Sequence, residues 1–369
     1  MVAQKFIPLA NPDIQEEDIQ AVVDVLRSGM LVQGKNVEAL EQYVSEFIDC
    51  KHAAAVSNGT ATMHLALHTL GVGPGDEVIV PAFSYIATAN VVELVGAKPI
   101  FVDVHIETFC IDASKIEAAI TSKTKAIMPV HEFGLAADMQ PILALAKKYN
   151  LYVVEDAACA LGATDNGQYT GTFGDMASFS LHPRKAITSG EGGLVTSNNA
   201  EMIDRIKIFR NHGTGMIDGK AEFVEAGFNY RMTDFQAALV LSQFKRLRDT
   251  LAYKQKLAEV YFNEIKHADI LLPHVPQTKK HSWQTFHVVL PDTMSQSVTI
   301  NHLRNEGVGT NYGAQCMPHQ YVYQQKYKLD SKVLFPNALR ANLQGLALPI
   351  YEKMSFDDVR YIASLVNQL

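Results

Sequence analysis

Between about residue 60 and residue 154 the chain alternates short apolar runs with longer segments whose apolar residues recur at helical spacing. The runs Glu77–Val80, Pro99–Val102, Ala126–Val130 and Leu151–Val154 predict strands, and Thr60–Leu70, Ile86–Val95, Ala113–Ile120 and Met139–Tyr149 predict the helices between them. Short apolar strands, each linked to the next by a helix, imply an α/β fold: a mostly parallel sheet covered on both faces. Two helices precede this region. The first is expected to open at the cap-plus-first-turn pair Asn11-Pro12, to carry Ile19, Val22, Val23 and Leu26 on one face, and to stop at Ser28-Gly29. The second runs from about Val37 to Ile48. Downstream, the pattern predicts a strand-like run Met176–Leu181, a strand Gly193–Thr196, a helix Ala200–Phe209 and one long helix from about Asp234 to His267. From about Ile270 onward, strand Phe286–Leu290 and helices near Val298–Glu306 and Phe356–Leu369 suit a compact α+β unit. The expected organisation is a large domain, 1–250, and a smaller C-terminal domain, 251–369, with no internal repeat.

Composition narrows the class. A chain of 369 residues with 47% hydrophobic content can bury a large core. Its net charge of -7, from 39 acidic against 32 basic residues without a long block of either sign, argues against nucleic acid or an anionic membrane as partner. Cys50, Cys110, Cys159 and Cys316 are scattered without a CxxC spacing, so neither zinc nor a redox pair is indicated and a reducing compartment fits best. The first residues, MVAQKFIPLANPDIQEED, turn acidic and proline-broken where a secretory leader needs an apolar core, and no apolar run approaches membrane-spanning length. A cytoplasmic location is expected.

The candidate chemistry centres on Lys185, in the stretch FSLHPRKAITSGEGG from Phe179 to Gly193. A strand delivers this lysine onto a loop closed by Gly190, Gly192 and Gly193, and the acidic pair Glu155-Asp156 ends an earlier apolar strand. A lysine amine can form a Schiff base with an aldehyde cofactor, and a carboxylate at a pyridine nitrogen keeps that ring protonated and able to accept electrons; together they suggest pyridoxal 5'-phosphate (PLP). Asp156, at the end of the run LYVV, needs a cationic partner if buried; a structural arginine or a helix cap would serve as well as a pyridinium. Ser57 to Thr62 opens a helix whose free N–H groups and positive dipole end suit a phosphate, although a plain cap has the same sequence. The loop PAFSYIATAN offers Phe83 and Tyr85, either of which could stack on a flat ring or sit in the core. Ser180 could add a hydroxyl to the phosphate or be an ordinary strand serine.

The order of these features is that of PLP enzymes with the aspartate-aminotransferase fold. Over nearly its whole length the chain resembles the DegT/StrS type of nucleotide-sugar aminotransferase, through SNGTATMHLAL, GPGDEVIVPAFSYIATAN, PIFVDV, EDAACALGA, GDMASFS, HPRKAITSGEGG, RNHG, GFNYRMTDFQAAL and LALPIY. The resemblance implies PLP-dependent transferase fold type I, with a seven-stranded sheet. It also implies Lys185 as Schiff-base lysine and proton shuttle, and Asp156 on the pyridine nitrogen. Tyr85, rather than Phe83, takes the ring-stacking position. Gly59, Thr60, Ala61 and Ser180 fall on the phosphate, and Asn229 reaches it from a neighbouring subunit, so a homodimer with shared active sites is implied. The activity implied is ping-pong transfer of an amino group from L-glutamate to a nucleotide-linked keto-sugar, with 2-oxoglutarate released. TSGEGG after the lysine tilts the site of amination toward C4 of a 4-keto-6-deoxy sugar, as against the C3 chemistry of relatives with GDGG. Amino-sugar synthesis for a surface polysaccharide, including lipopolysaccharide, is among the pathways consistent with the family.

Two departures from the family pattern stand out. Cys159 occupies a position near the cofactor 3'-oxygen where many relatives have Gln, His or Glu. GTNYGAQCMPHQ, from Gly309 to Gln320, replaces a VHYxPLHxQ pattern that borders the sugar; Tyr312 and His319 are the candidate substrate residues there, or surface loop residues. Retention of Lys185 argues against the family's sugar dehydratases, which carry histidine there. A desulfurase would need a cysteine on a mobile loop, for which Cys316 is the candidate, and a non-catalytic regulator would be expected to lose the lysine or the aspartate.

Overall fold

The computed structural model describes residues 6–369; the N-terminal reading rests in part on residues 1–5, which lie outside them. Seven strands form the central sheet: β1 (His52–Val56), β2 (Glu77–Pro81), β3 (Lys98–Val102), β4 (Thr124–Ile127), β5 (Tyr152–Asp156), β6 (Met176–Ser180) and β7 (Gly193–Ser197). Their order is β1-β7-β6-β5-β4-β2-β3. From β6 to β3 all pairs are parallel, and β7 alone runs antiparallel, to β6 on one side and β1 on the other. This is the expected seven-stranded α/β sheet, and its strands are apolar because both faces are covered. Val78 and Val80 face one layer with Leu65, Leu67 and Val91, whereas Ile79 between them packs with Ile127, Ile142 and Val153 in the other.

A separate apolar core gathers Leu257, Tyr261, Trp283, Phe286, Leu303 and Ile362, joined by Ile7 from the start of the chain. Its small sheet pairs Phe286–Val289 with Gly345–Leu348 antiparallel.

Three elements differ from expectation. The first helix starts at Glu16, not at Asn11-Pro12, because Gln15 and Asp18 close a reciprocal capping box. The long helix expected from Asp234 to His267 is two, Asp234–Phe244 and Leu247–Glu264. At the break Arg246 leaves helical geometry, and its guanidinium bonds Asp18 (Nη1 to Oδ1, 3.0 Å) and the Asp13 carbonyl (2.6 Å). The span Ala113–Ile120 is a 3-10 turn, Ala113–Lys115, followed by a single α turn, Ile116–Ala119. Strand β1 and the exposed hairpin Thr214–Ile217/Lys220–Phe223 were not foreseen in the pattern. Among the described residues no helix is long and apolar enough to cross a membrane.

Candidate active site

The carboxyl ends of β2, β4, β5 and β6 point the same way, and ligands of open α/β sheets bind at such an edge. Lys185 stands in the loop after β6. That loop is folded back by Leu181 N–H to Gly192 O (2.9 Å) and Ser189 N–H to Leu181 O (3.0 Å). Gln243, from helix Asp234–Phe244, clamps it by accepting from Thr188 N–H (3.0 Å) and donating to Thr188 O (2.7 Å). The Lys185 amine donates to Cys159 Sγ at 3.0 Å. Its charge also favours the ionised forms of Asp156, Glu132 and Cys159, which places all three around it.

Strand alternation separates the acidic pair. Glu155 is fully buried away from Lys185. It bonds His131 Nε2 (2.8 Å) and accepts from the N–H groups of Gly171, Phe173 and Gly174 (2.8 Å each), a structural carboxylate tying a loop to the sheet. Asp156, 4% exposed, accepts from Thr88 Oγ1 (2.8 Å) and from Ala158 N–H (3.2 Å). Burial pushes its carboxyl up, and among the described residues no cation lies within salt-bridge distance. A cationic ring nitrogen at that carboxylate would oppose the rise, so the site fits a pyridinium.

Gly59 opens helix Gly59–Thr69, capped by the Asn58 side chain accepting from Ala61 N–H (2.8 Å). A Cβ at Gly59 would come within 2.9 Å of the Ser180 Cβ, so only glycine lets the helix start and the end of β6 approach so closely. Gly59, Ala61 and Ser180 thus share one corner with exposed Thr60, and helix N-terminus plus hydroxyl suits a phosphate. Of the two aromatics, Phe83 is a core residue with Phe109 and Phe133, whereas Tyr85 is 65% exposed. Asn229 is exposed and bridges Asn211 through its backbone. Tyr312 is 47% exposed, and the His319 ring nitrogen Nδ1 pairs with Gln324 Nε2 at 3.0 Å. Cys316 is fully buried in a short strand against Phe83, its thiol pushed up to about 12 by burial, which removes it as a desulfurase nucleophile.

Sequence reasoning passed over Glu132, Ser84 and Thr88. Glu132 lies where the apolar run Ala126–Val130 leaves the sheet, only 4% exposed, its carboxyl pushed up to about 8 by burial and then by Asp156. An acid at the carboxyl end of a predicted strand was the available signal.

Comparison with known proteins gives the family of the chain. A profile of the DegT/DnrJ/EryC1/StrS aminotransferase family matches residues 12–367. An uncharacterised protein of Methanocaldococcus jannaschii, MJ1066, is 36% identical over 100% of this chain and 99% of its own. Among solved structures, a sugar aminotransferase of Streptococcus pneumoniae, Spr1654, in its PLP form superposes with a TM-score of 0.92 at 31% identity, covering 98% of each chain. Helicobacter pylori PseC, an aminotransferase of pseudoaminic acid biosynthesis, superposes with a TM-score of 0.93 at 27% identity over 99% of each. The chain belongs to the DegT/DnrJ/EryC1/StrS aminotransferase family and is a PLP-dependent aminotransferase of fold type I.

Proposed function

We propose that the enzyme transfers an amino group from L-glutamate to a nucleotide-linked keto-sugar, at C4 of a 4-keto-6-deoxy sugar. The observation that carries this reading is the Lys185 amine, bonded to Cys159, close enough to the buried Asp156 to favour its ionised form while Asp156 has no cation within salt-bridge distance among the described residues. PLP supplies a covalent attachment point for an amine and an electron sink that acidifies the adjoining C–H bond. Every other role falls to the chain. Lys185 anchors the cofactor, and its Nζ takes the α-proton of glutamate in the first half-reaction and delivers a proton to the former carbonyl carbon of the sugar in the second. Asp156 holds the ring nitrogen, with its oxygens oriented by Thr88 and Ala158. Gly59, Thr60, Ala61 and Ser180 hold the phosphate. The exposed Tyr85 would stack on the ring, and Cys159 would lie near its oxygen-bearing edge. Tyr312 and His319 border the sugar. Glutamate and sugar use one site in turn, which makes the kinetics ping-pong.

Asn229 completes the phosphate site of a partner subunit in a homodimer. Its exposure, and that of Met216, Ile217 and Phe223 on the nearby hairpin, support an interface there. The division into domains 1–250 and 251–369 is part of the same proposal, supported by the second core around Tyr261 and Phe286.

The test is a screen of UDP-, dTDP- and GDP-linked 4-keto-6-deoxy sugars with glutamate, following 2-oxoglutarate. Turnover with one of them is expected. Turnover only with a 3-keto sugar would overturn the C4 assignment, and none with any keto-sugar would overturn the substrate class.

A further inference from the structure

Where the loop after β4 meets segment 281–287, backbone bonds hold the two at a fixed separation. Ser282 N–H donates to Gly134 O and Gln284 N–H to Phe133 O, both at 3.0 Å. Beside these bonds lies a small cavity of about 10 Å³, whose lining includes Glu132, Phe133, His281, Thr285 and His287. That is the room of about one water molecule.

Three of the lining side chains have hydrogen-bonding capacity that the protein leaves unspent. His281 Nδ1 accepts from Trp283 N–H at 2.8 Å, so that nitrogen carries no hydrogen. Burial holds the ring neutral, pushing its pKa down to about 3. A neutral imidazole keeps one hydrogen, which is therefore on Nε2, and among the described residues no acceptor is paired with it. Glu132, 4% exposed, has Oε2 buried without a hydrogen-bond partner, and His287, 1% exposed, has both ring nitrogens in the same condition. Thr285 cannot serve them, because its hydroxyl hydrogen goes to Gln284 Oε1 at 2.9 Å. Nor can the rings swing together. His281 is stacked on Trp283 with centroids 3.8 Å apart, and His287 on Phe133 at 4.4 Å. A donor and several acceptors thus border one cavity without meeting, and leaving buried polar groups unpaired is costly.

We propose that this cavity is a binding site for a single water molecule, which accepts from His281 Nε2–H, donates to Glu132 Oε2 and to a His287 ring nitrogen, and so bridges the loop after β4 to segment 281–287. Three hydrogen bonds are what a buried water ordinarily makes. A metal ion is the wrong occupant, because His281 presents a hydrogen there in place of a lone pair, and among the described residues no group of His, Cys, Asp and Glu is arranged to hold one. The bridge depends on none of the cofactor or substrate assignments.

The test is a high-resolution crystal structure of the PLP-loaded enzyme, paired with NMR of the same protein labelled with 15N-histidine. One isolated peak of electron density, of the strength of a single oxygen atom, should lie within about 3 Å of both Glu132 Oε2 and His281 Nε2. In solution His281 should carry its hydrogen on Nε2, and that hydrogen should give a cross-peak to water. Glu132→Leu, which removes the acceptor, should abolish the density peak, whereas Glu132→Gln keeps an oxygen there and should retain it. An empty cavity in the wild type, density too strong for one oxygen, a peak out of reach of either residue, His281 carrying its hydrogen on Nδ1, or a peak that survives Glu132→Leu would each overturn the proposal. The wild-type crystal and spectrum give the answer even where Glu132→Leu fails to fold.

Discussion

Glu132 shows how far a single residue's chemistry depends on what packs around it. An unfolded chain releases this proton near 4.5, whereas the folded protein keeps it until about 8. Between those values the folded state binds more protons, so a rise in pH across this window lowers stability. Denaturant midpoints of the cofactor-free protein should therefore fall for the wild type relative to Glu132→Gln as pH rises from 4.5 to about 8; parallel curves would show that Glu132 ionises normally. Its place just past an apolar run is a weak mark in the sequence, since a lone glutamate is most often a solvated charge, and its burial is completed by His281 and His287, which arrive from another segment. The proximity of Lys185 and Asp156 was legible for the opposite reason. The glycine-closed loop and the apolar strand that carry them are visible in sequence. Glu155 was paired with Asp156 in the reading, and strand alternation sends it to the opposite face.

At the scale of elements, the loop carrying Lys185 is held by helix Asp234–Phe244 through the two bonds of Gln243 to Thr188. Gln243→Leu leaves the Thr188 N–H and C=O unpaired in a buried place, which should cost about 1–3 kcal/mol per group. Thermal unfolding should register that loss, and the lysine loop should become more open to proteolysis; an unchanged melting temperature would show that the clamp is dispensable. The strands β2 to β6 were readable because burial on both faces makes them continuous apolar runs. β1, sequence HAAAV, was not, because alanine serves helix and strand alike and only pairing with β7 decides. The break at Lys245-Arg246 was hidden too, since it is fixed by a bond from Arg246 to Asp18, far away in the chain.

For the whole molecule, the exposed Asn229 and the apolar hairpin predict that two subunits build each active site. Lys185→Ala and Asn229→Ala proteins should each be severely impaired as homodimers. Mixed and re-paired, they should regain activity, because one of the two sites in each hybrid receives both intact residues; no recovery in proven hybrids would show that each subunit's site is self-contained. Fold class was legible at this scale because crossover helices and strand ends impose it, while an exposed face such as that around Asn229 leaves no periodic mark. The central claim, that Lys185 is the cofactor's anchor, is tested most directly by reducing the PLP-loaded enzyme with borohydride and locating the modified peptide by mass spectrometry. The account predicts the cofactor's mass on Lys185 alone. Its appearance on Lys254, a buried lysine near Cys159, or on no lysine at all, would contradict it.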